Sequence, residues 1–455
     1  MYKNKADIRE KIMLAIYLLI FAVTAFTVAR LQQHELNAPI YSCPPDETAR
    51  YLVPKWIYEH GTIPTGLEAE TQNPDYGSFS YAFLPGLSYM VMGYVMRFAG
   101  MLNLIHNPGT PLLIARSVNV FFGILTAFFI WLLGRRVFNK ERYVWLFACG
   151  VTFLPQHLFI HTYVNTESMC MLSIAIILHA LMRMRQDGVK TVNCAEFAVG
   201  ASILTLSYYS AYGVLLFSIP IFVSFFVKKD ADSKTTVDYK KVFGYGSFIM
   251  LIWAVLCLWW FIKQGIVLDG DFLGTAHRNE TLYMIRECSF KAQGVSFWDM
   301  IVKNRPVFAA RISFIGNYGS CSILGYPWMY GLYELFYICG VILVAIRACV
   351  AYKIDRKSFG YGFFFQAMLL CTDLTTLILW LVYIYSFDYQ PQGRYMFPAL
   401  FHFYWLITKG YEWAVDKIKM SEGGKNVATS VVTAGIISLL LIYVFKNAVP
   451  VYLMG

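Results

Sequence analysis

The sequence predicts an all-α polytopic membrane protein: about eleven transmembrane helices, with interfacial helices in a long first extracytoplasmic loop. Three observations carry this. Hydrophobic residues make up 58% of the 455 and charged residues only 15%, against about 25% charged in an average soluble domain. Apolar runs of roughly 20 residues recur from end to end, each able to cross ~30 Å of hydrocarbon. Lys and Arg crowd into the short loops between those runs.

The first run, "IMLAIYLLIFAVTAFTVA", follows "MYKNKADIREK". It is too long for a signal core and lacks a small-residue cleavage site, so it reads as a first spanning helix over 12–29. Further spans are expected at 112–133, 143–160, 164–182, 194–209, 211–227, 242–263, 327–346, 361–386, 393–408 and 428–446. "GRRVFNKER", "RMRQDGVK", "VKKDADSKTTVDYKK", "RACVAYKIDRK", "KGYEWAVDKIKMSEGGK" and the N-terminal segment hold 24 of the 38 Lys and Arg. With the N-terminus in the cytoplasm all of them fall inside, the pattern membrane insertion favours. The net charge of +10 is thus explained without nucleic acid. One apolar segment is left over, at 81–100. If it crossed, every later basic loop would face outward. Pro85, Gly86 and Gly93 also weaken it as a span, so it is expected along the outer interface.

The chain then reads as one transmembrane domain, 1–455, with large extracytoplasmic loops at 30–111 and 264–326. Chemistry-bearing residues gather on that outer side. The first loop carries the adjacent acids Asp46 and Glu47, after "CPP". The plain reading is an N-cap and a solvated first-turn acid. The second loop groups His277, Arg278, Arg286 and Lys291, by the plain reading a solvated helix face. Arg116 lies one turn into the second span, costly there unless paired or lining a cavity. Arg394, in "QPQGRYMFP", is placed to grip an anion bidentately, with Gly393 allowing close backbone approach. Asp373 sits deep in a span among threonines. The ten cysteines show no metal spacing, and Cys43, Cys288 and Cys321 leave room for one outer disulfide.

"PDETARYLVPKWIYEHGTIP", "FLPQHLFIHTYVNTESM" and "QPQGRYMFP", in that order, resemble the GT-C superfamily of integral-membrane glycosyltransferases. The likeness is to a bacterial branch with a Pro-Asp-Glu motif, a Pro-Gln…Asn-x-Asp motif and a Gln-Gly-Arg-Tyr motif. Arg50 or Tyr51 stands where the branch has a His, and Glu167 where it has an Asp. The resemblance implies an integral protein of a bacterial plasma membrane, with its active site extracytoplasmic. It implies an inverting enzyme that moves a sugar from a polyprenyl-phosphate donor to an extracytoplasmic acceptor, a cell-envelope glycan, lipid or protein.

By that resemblance Asp46 and Glu47 are the catalytic candidates, one acting as base on the acceptor hydroxyl. Arg394, Arg116, Arg278 and Arg286 are the candidates for the donor phosphate. Asn165, Glu167, Tyr395 and His277 would support them. A divalent cation, Mg or Mn, held by Asp46, Glu47 and Glu167 would be the cofactor if one is used. The rival classes are a transporter or flippase, which would carry midplane charges and often inverted repeats, and a polysaccharide polymerase or ligase, which would not require the early acidic pair.

Overall fold

The computed structural model describes residues 7–32, 43–73, 77–229, 235–354 and 356–454. Asp75 and the centre of the loop at 230–234 lie outside them. The described chain is helical almost throughout. A two-stranded antiparallel hairpin, β1 (Val227–Lys229) with β2 (Thr235–Val237), is the exception.

Among the described residues seven helices are long and apolar enough to cross a membrane: α1 (Ile8–Leu31), α4 (Thr110–Val137), α7 (Glu167–Asp187), α10 (Tyr239–Val267), α15 (Pro327–Ile354), α16 (Arg356–Ser386) and the C-terminal run that begins with α18 (Glu422–Ile442). The other expected spans are helical but shorter or broken. The segment at 143–160 splits into α5 (Glu141–Thr152) and α6 (Pro155–Ile160), because Pro155 cannot continue the helix before it. Those at 194–209 and 211–227 become α8 (Thr191–Thr205) and α9 (Gly213–Ser224), and that at 393–408 a 3-10 turn over Gly393–Ala399 followed by α17 (Leu400–Lys417).

Ion pairs gather four basic segments at one end of the bundle. Arg135 pairs with Glu10 at 3.1 Å, Arg136 with Asp187 at 2.6 Å, and Arg142 with Asp416 and Glu422 at 2.9 and 2.8 Å. The N-terminal, second, third and last basic stretches therefore share one side. The leftover segment at 81–100 forms α3 (Leu87–Met101), about 22 Å long at 1.5 Å per residue and too short to cross. It packs on α2 (Glu47–His60). Gly93 permits this: a Cβ there would lie 2.5 Å from Ile57 and 3.0 Å from the Pro54 carbonyl.

Lipid gives no hydrophobic reward for burying apolar side chains, so packing and polar contacts hold the helices together. α10 and α15 leave Met250, Leu251, Val255, Leu335, Ile338 and Ile342 exposed, as lipid-facing surfaces do. α1, α4, α5, α7 and α17 share a dense core that includes Phe21, Ile130, Phe147, Ile177 and Phe401. That rigid half carries the site at the end opposite the basic loops. Among the described residues no disulfide joins Cys43, Cys288 or Cys321, the three the sequence placed outside.

Candidate active site

The two acids of the first loop part company. Asp46 precedes α2 in a left-handed conformation, φ 58°, and its side chain makes no capping bond. Such a conformation is strained for most residues, tolerated by Asp, and concentrated at functional sites. Glu47, 1% exposed, turns inward instead. Arg116 of α4 donates to it from both Nε, at 2.9 Å, and Nη2, and the Val164 N–H donates at 2.8 Å. Arg116 Nη1 also donates to the carbonyls of Ala29 and Gln32 at 3.0 and 2.9 Å. The pair is a rivet joining the ends of α1, α2 and α4, and neither residue lines the cavity beside Asp46.

That cavity, of about 220 Å³, opens between the start of α2, the start of α7, the segment before α3, the short helix α11 (Thr275–Thr281) and the end of α16. Asp46, Arg50, Tyr81, Glu167, Arg278, Asp388 and Tyr395 line it. Arg50, one turn after Asp46, lies 3.5 Å from it and donates to Glu167 at 2.7 Å. Arg394 is buried behind this group, 4.0 Å from Asp46 and 3.9 Å from Glu167, and donates to the Tyr163 hydroxyl at 2.7 Å. Two guanidiniums thus face two carboxylates. The Nε–H groups of Arg50 and Arg394 are buried, with no hydrogen-bond partner among the described residues.

Asn165 Oδ1 accepts the Ser168 N–H at 2.9 Å and its Nδ2 donates to the Ile160 and Tyr163 carbonyls. It braces the turn that presents Glu167 and is itself fully buried. His277 folds onto Asp271, its backbone N–H donating to that carboxylate at 3.0 Å. Arg286 is exposed on α12 (Tyr283–Glu287). Neither lines the cavity, whereas Arg278 does. Gly393 serves packing rather than an anion: its N–H donates to Ser313 Oγ at 2.8 Å, and a Cβ would lie 2.3 Å from the Phe314 backbone nitrogen. Asp373 pairs with His402 of α17 at 2.5 Å, away from the cavity.

The trio Asp46, Glu47 and Glu167 does not make a cation site. Glu47 is taken by Arg116 and Glu167 by Arg50, so guanidiniums stand where a cation would need free oxygens. Among the described residues, the group that brings three such ligand atoms within 4.8 Å of one another is the exposed Glu59, His60 and Glu70.

Sequence reasoning missed Asp388 and undervalued Arg50. The second had a signal, since Asp46 and Arg50 stand at i,i+4 on one helix face. Burial pushes the Asp388 carboxyl above the ordinary aspartate range; a hydrogen bond from Gln390 opposes this and the charge of Asp46 adds to it.

No protein-family model matches the chain, and no curated protein matches it. Solved structures do. The Archaeoglobus fulgidus oligosaccharyltransferase AglB, in complex with an inhibitory peptide and a dolichol-phosphate, aligns with a TM-score of 0.52 at 12% identity, over 96% of this chain and 56% of its own. The same enzyme in complex with Zn and sulfate aligns at 0.53 and 14%, over 94% and 53%. ArnT from Cupriavidus metallidurans, bound to undecaprenyl phosphate, aligns at 0.53 and 11%, over 97% and 74%. The chain therefore shares the fold of these structures, while spanning about half the length of the oligosaccharyltransferase.

Proposed function

We propose that this protein is an inverting GT-C glycosyltransferase that moves a sugar from a polyprenyl-phosphate donor to an acceptor hydroxyl on the extracytoplasmic face. The observation that carries it is the half-exposed Asp46 carboxylate held in a cavity against Arg50 and Arg394, beside apolar helices.

In this reading the isoprenoid tail lies in the bilayer. The donor phosphate sits in the cavity at Arg50, with the charge of Arg394 buried close behind. Asp46 accepts the proton of the acceptor hydroxyl as its oxygen attacks the sugar's anomeric carbon. The carbon–oxygen bond to phosphate breaks on the opposite face, its electron pair stays with the phosphate, and the guanidiniums stabilise that growing charge. Glu167 fixes both arginines in place. The residues do not fit a divalent cation among Asp46, Glu47 and Glu167, so no step runs through one. Dolichol-phosphate and undecaprenyl phosphate in complexes of two structural neighbours support this donor class.

The test is sugar transfer by purified protein in nanodiscs, with a panel of polyprenyl-phosphate sugars and envelope acceptors. Transfer with at least one donor, lost in Asp46→Asn while donor binding persists, is the expected result. A parent protein that transfers none of them would remove this reading.

A further inference from the structure

The carboxylate of Asp388 has no part in that chemistry, yet it lines the same cavity as Asp46. It lies just past the end of α16 and is tethered. Gln390 Nε2 donates to it at 2.5 Å, the Tyr395 hydroxyl donates to Gln390 Oε1 at 2.8 Å, and Arg394 Nη2 reaches the Tyr395 hydroxyl at 3.4 Å. One wall of hydrogen bonds therefore runs from the buried cation to this second acid. Two aromatic rings line the cavity beside it. Tyr383, in the last turn of α16, and Phe387, just past its end, stack with centroids 5.4 Å apart, and the Arg278 guanidinium covers Phe387 at 4.5 Å.

A fixed carboxylate beside a flat aromatic ring is the chemistry that recognises a sugar: the oxygens accept hydroxyl protons, and the ring meets the sugar's C–H face. We propose that the wall of Asp388, Gln390 and Tyr383, with Phe387 packed behind Tyr383, seats the transferred sugar, and that Asp388 determines which hydroxyl configuration is accepted. This rests on the proposed transfer reaction. A sugar esterified to a phosphate held in front of Arg394 lies next to Tyr395, and so on this wall rather than across the cavity. At about 220 Å³ the cavity is below the ~300–1,000 Å³ of sites for drug-sized ligands, which suits one ring and its phosphate.

The side chain's tether also explains why it is set apart from Asp46. Asp388 is held by Gln390 and already burdened by burial, so it is suited to accept hydroxyl protons in hydrogen bonds. Asp46 instead faces the two guanidiniums, at 3.5 Å from Arg50 and 4.0 Å from Arg394, and is the acid left for the attacking group. Hydrogen bonds to a charged group contribute about 1.5–3 kcal/mol, or roughly 10- to 100-fold in binding.

The experiment compares the parent and Asp388→Asn on polyprenyl-phosphate sugars that differ only in single hydroxyls, epimers and deoxy forms, with kcat and donor KM measured for each. Asparagine still accepts from Gln390, which preserves the wall. The expected result is a donor KM raised roughly 10- to 100-fold for the preferred sugar, an acceptor KM unchanged, and a flattened preference among the epimers. An unchanged donor KM with preference intact would overturn the assignment, as would a fall in kcat alone. Should Asp388→Asn not fold, Tyr383→Leu carries the test: it should raise donor KM for every sugar in common, and an unchanged KM overturns the seat. A parent that transfers no sugar defeats the reaction itself, whereas an active parent with an indifferent Asp388 variant defeats only this inference.

Discussion

Arg116 clasps Glu47 through two guanidinium nitrogens, and that bond separates two neighbouring acids into different roles. Glu47 becomes part of the frame. Asp46, one residue earlier, is left facing the cavity with arginines at 3.5 and 4.0 Å. The predictions below start from that division.

Breaking the rivet should damage the fold rather than the chemistry alone. Removing one partner of a buried ion pair leaves an uncompensated charge and typically costs about 3–5 kcal/mol. Arg116→Ala and Glu47→Ala should each lower the thermal midpoint in detergent strongly, and the double variant should be less damaging than the two effects added. Wild-type melting in both single variants would show the pair to be dispensable.

Asp46→Asn should do the reverse. The side chain makes no capping bond to α2, so the midpoint should hold. Loss of a general base costs about 10²–10⁴-fold in rate. Transfer should fall by that order with donor binding retained. Full transfer in this variant would remove Asp46 from the mechanism.

The arginines should prove sensitive to geometry and not merely to charge. Arg394→Lys keeps the charge but loses the planar fork and the bond to Tyr163. Donor use should weaken clearly, and Arg50→Lys should behave alike because it also surrenders Glu167. The measurement is donor KM and kcat for each. Turnover like the parent in both would make these residues braces only.

Chelation should leave transfer intact. The acids nearest the cavity's arginines are satisfied by guanidiniums, which leaves the cation-binding role to no pair of them. Rates should be the same with and without excess EDTA. A rate abolished by EDTA and restored by Mg or Mn would show that the arginine pairing gives way to a metal during turnover.

Sidedness can be read by thiol labelling. The ion pairs put four of the basic segments at one end, and the charge rule predicts that this end, with the segment of Lys240, faces the cytoplasm. In a background lacking native cysteines, a cysteine replacing Glu70 should be labelled from outside by an impermeant reagent. One replacing Lys240 should be protected. Labelling at Lys240 alone would invert the molecule.

Composition and hydropathy were enough for the membrane and the helical class, and charge order for an expected sidedness. Those properties depend on summed hydropathy and on charges local in sequence, both readable along one dimension. That 81–100 falls short of a full spanning helix was readable too, from Pro85 and Gly86, after which α3 begins. Other features depended on three dimensions. Asp46 and Glu47 are equivalent in a string; only the approach of α4, bringing Arg116 from 69 residues away, turns one into a brace. Gly393 looked like an anion-binding glycine until Phe314 proved to occupy the space where a Cβ would go. Arg286 and Arg278 lie eight positions apart, yet only Arg278 reaches the cavity. Asp388 gave no signal, because its meaning comes from Asp46, Tyr383 and Arg394 meeting it across the bundle. A side chain's type is set by the sequence, but its partner, its burial and hence its chemistry are set by which distant helices pack against it.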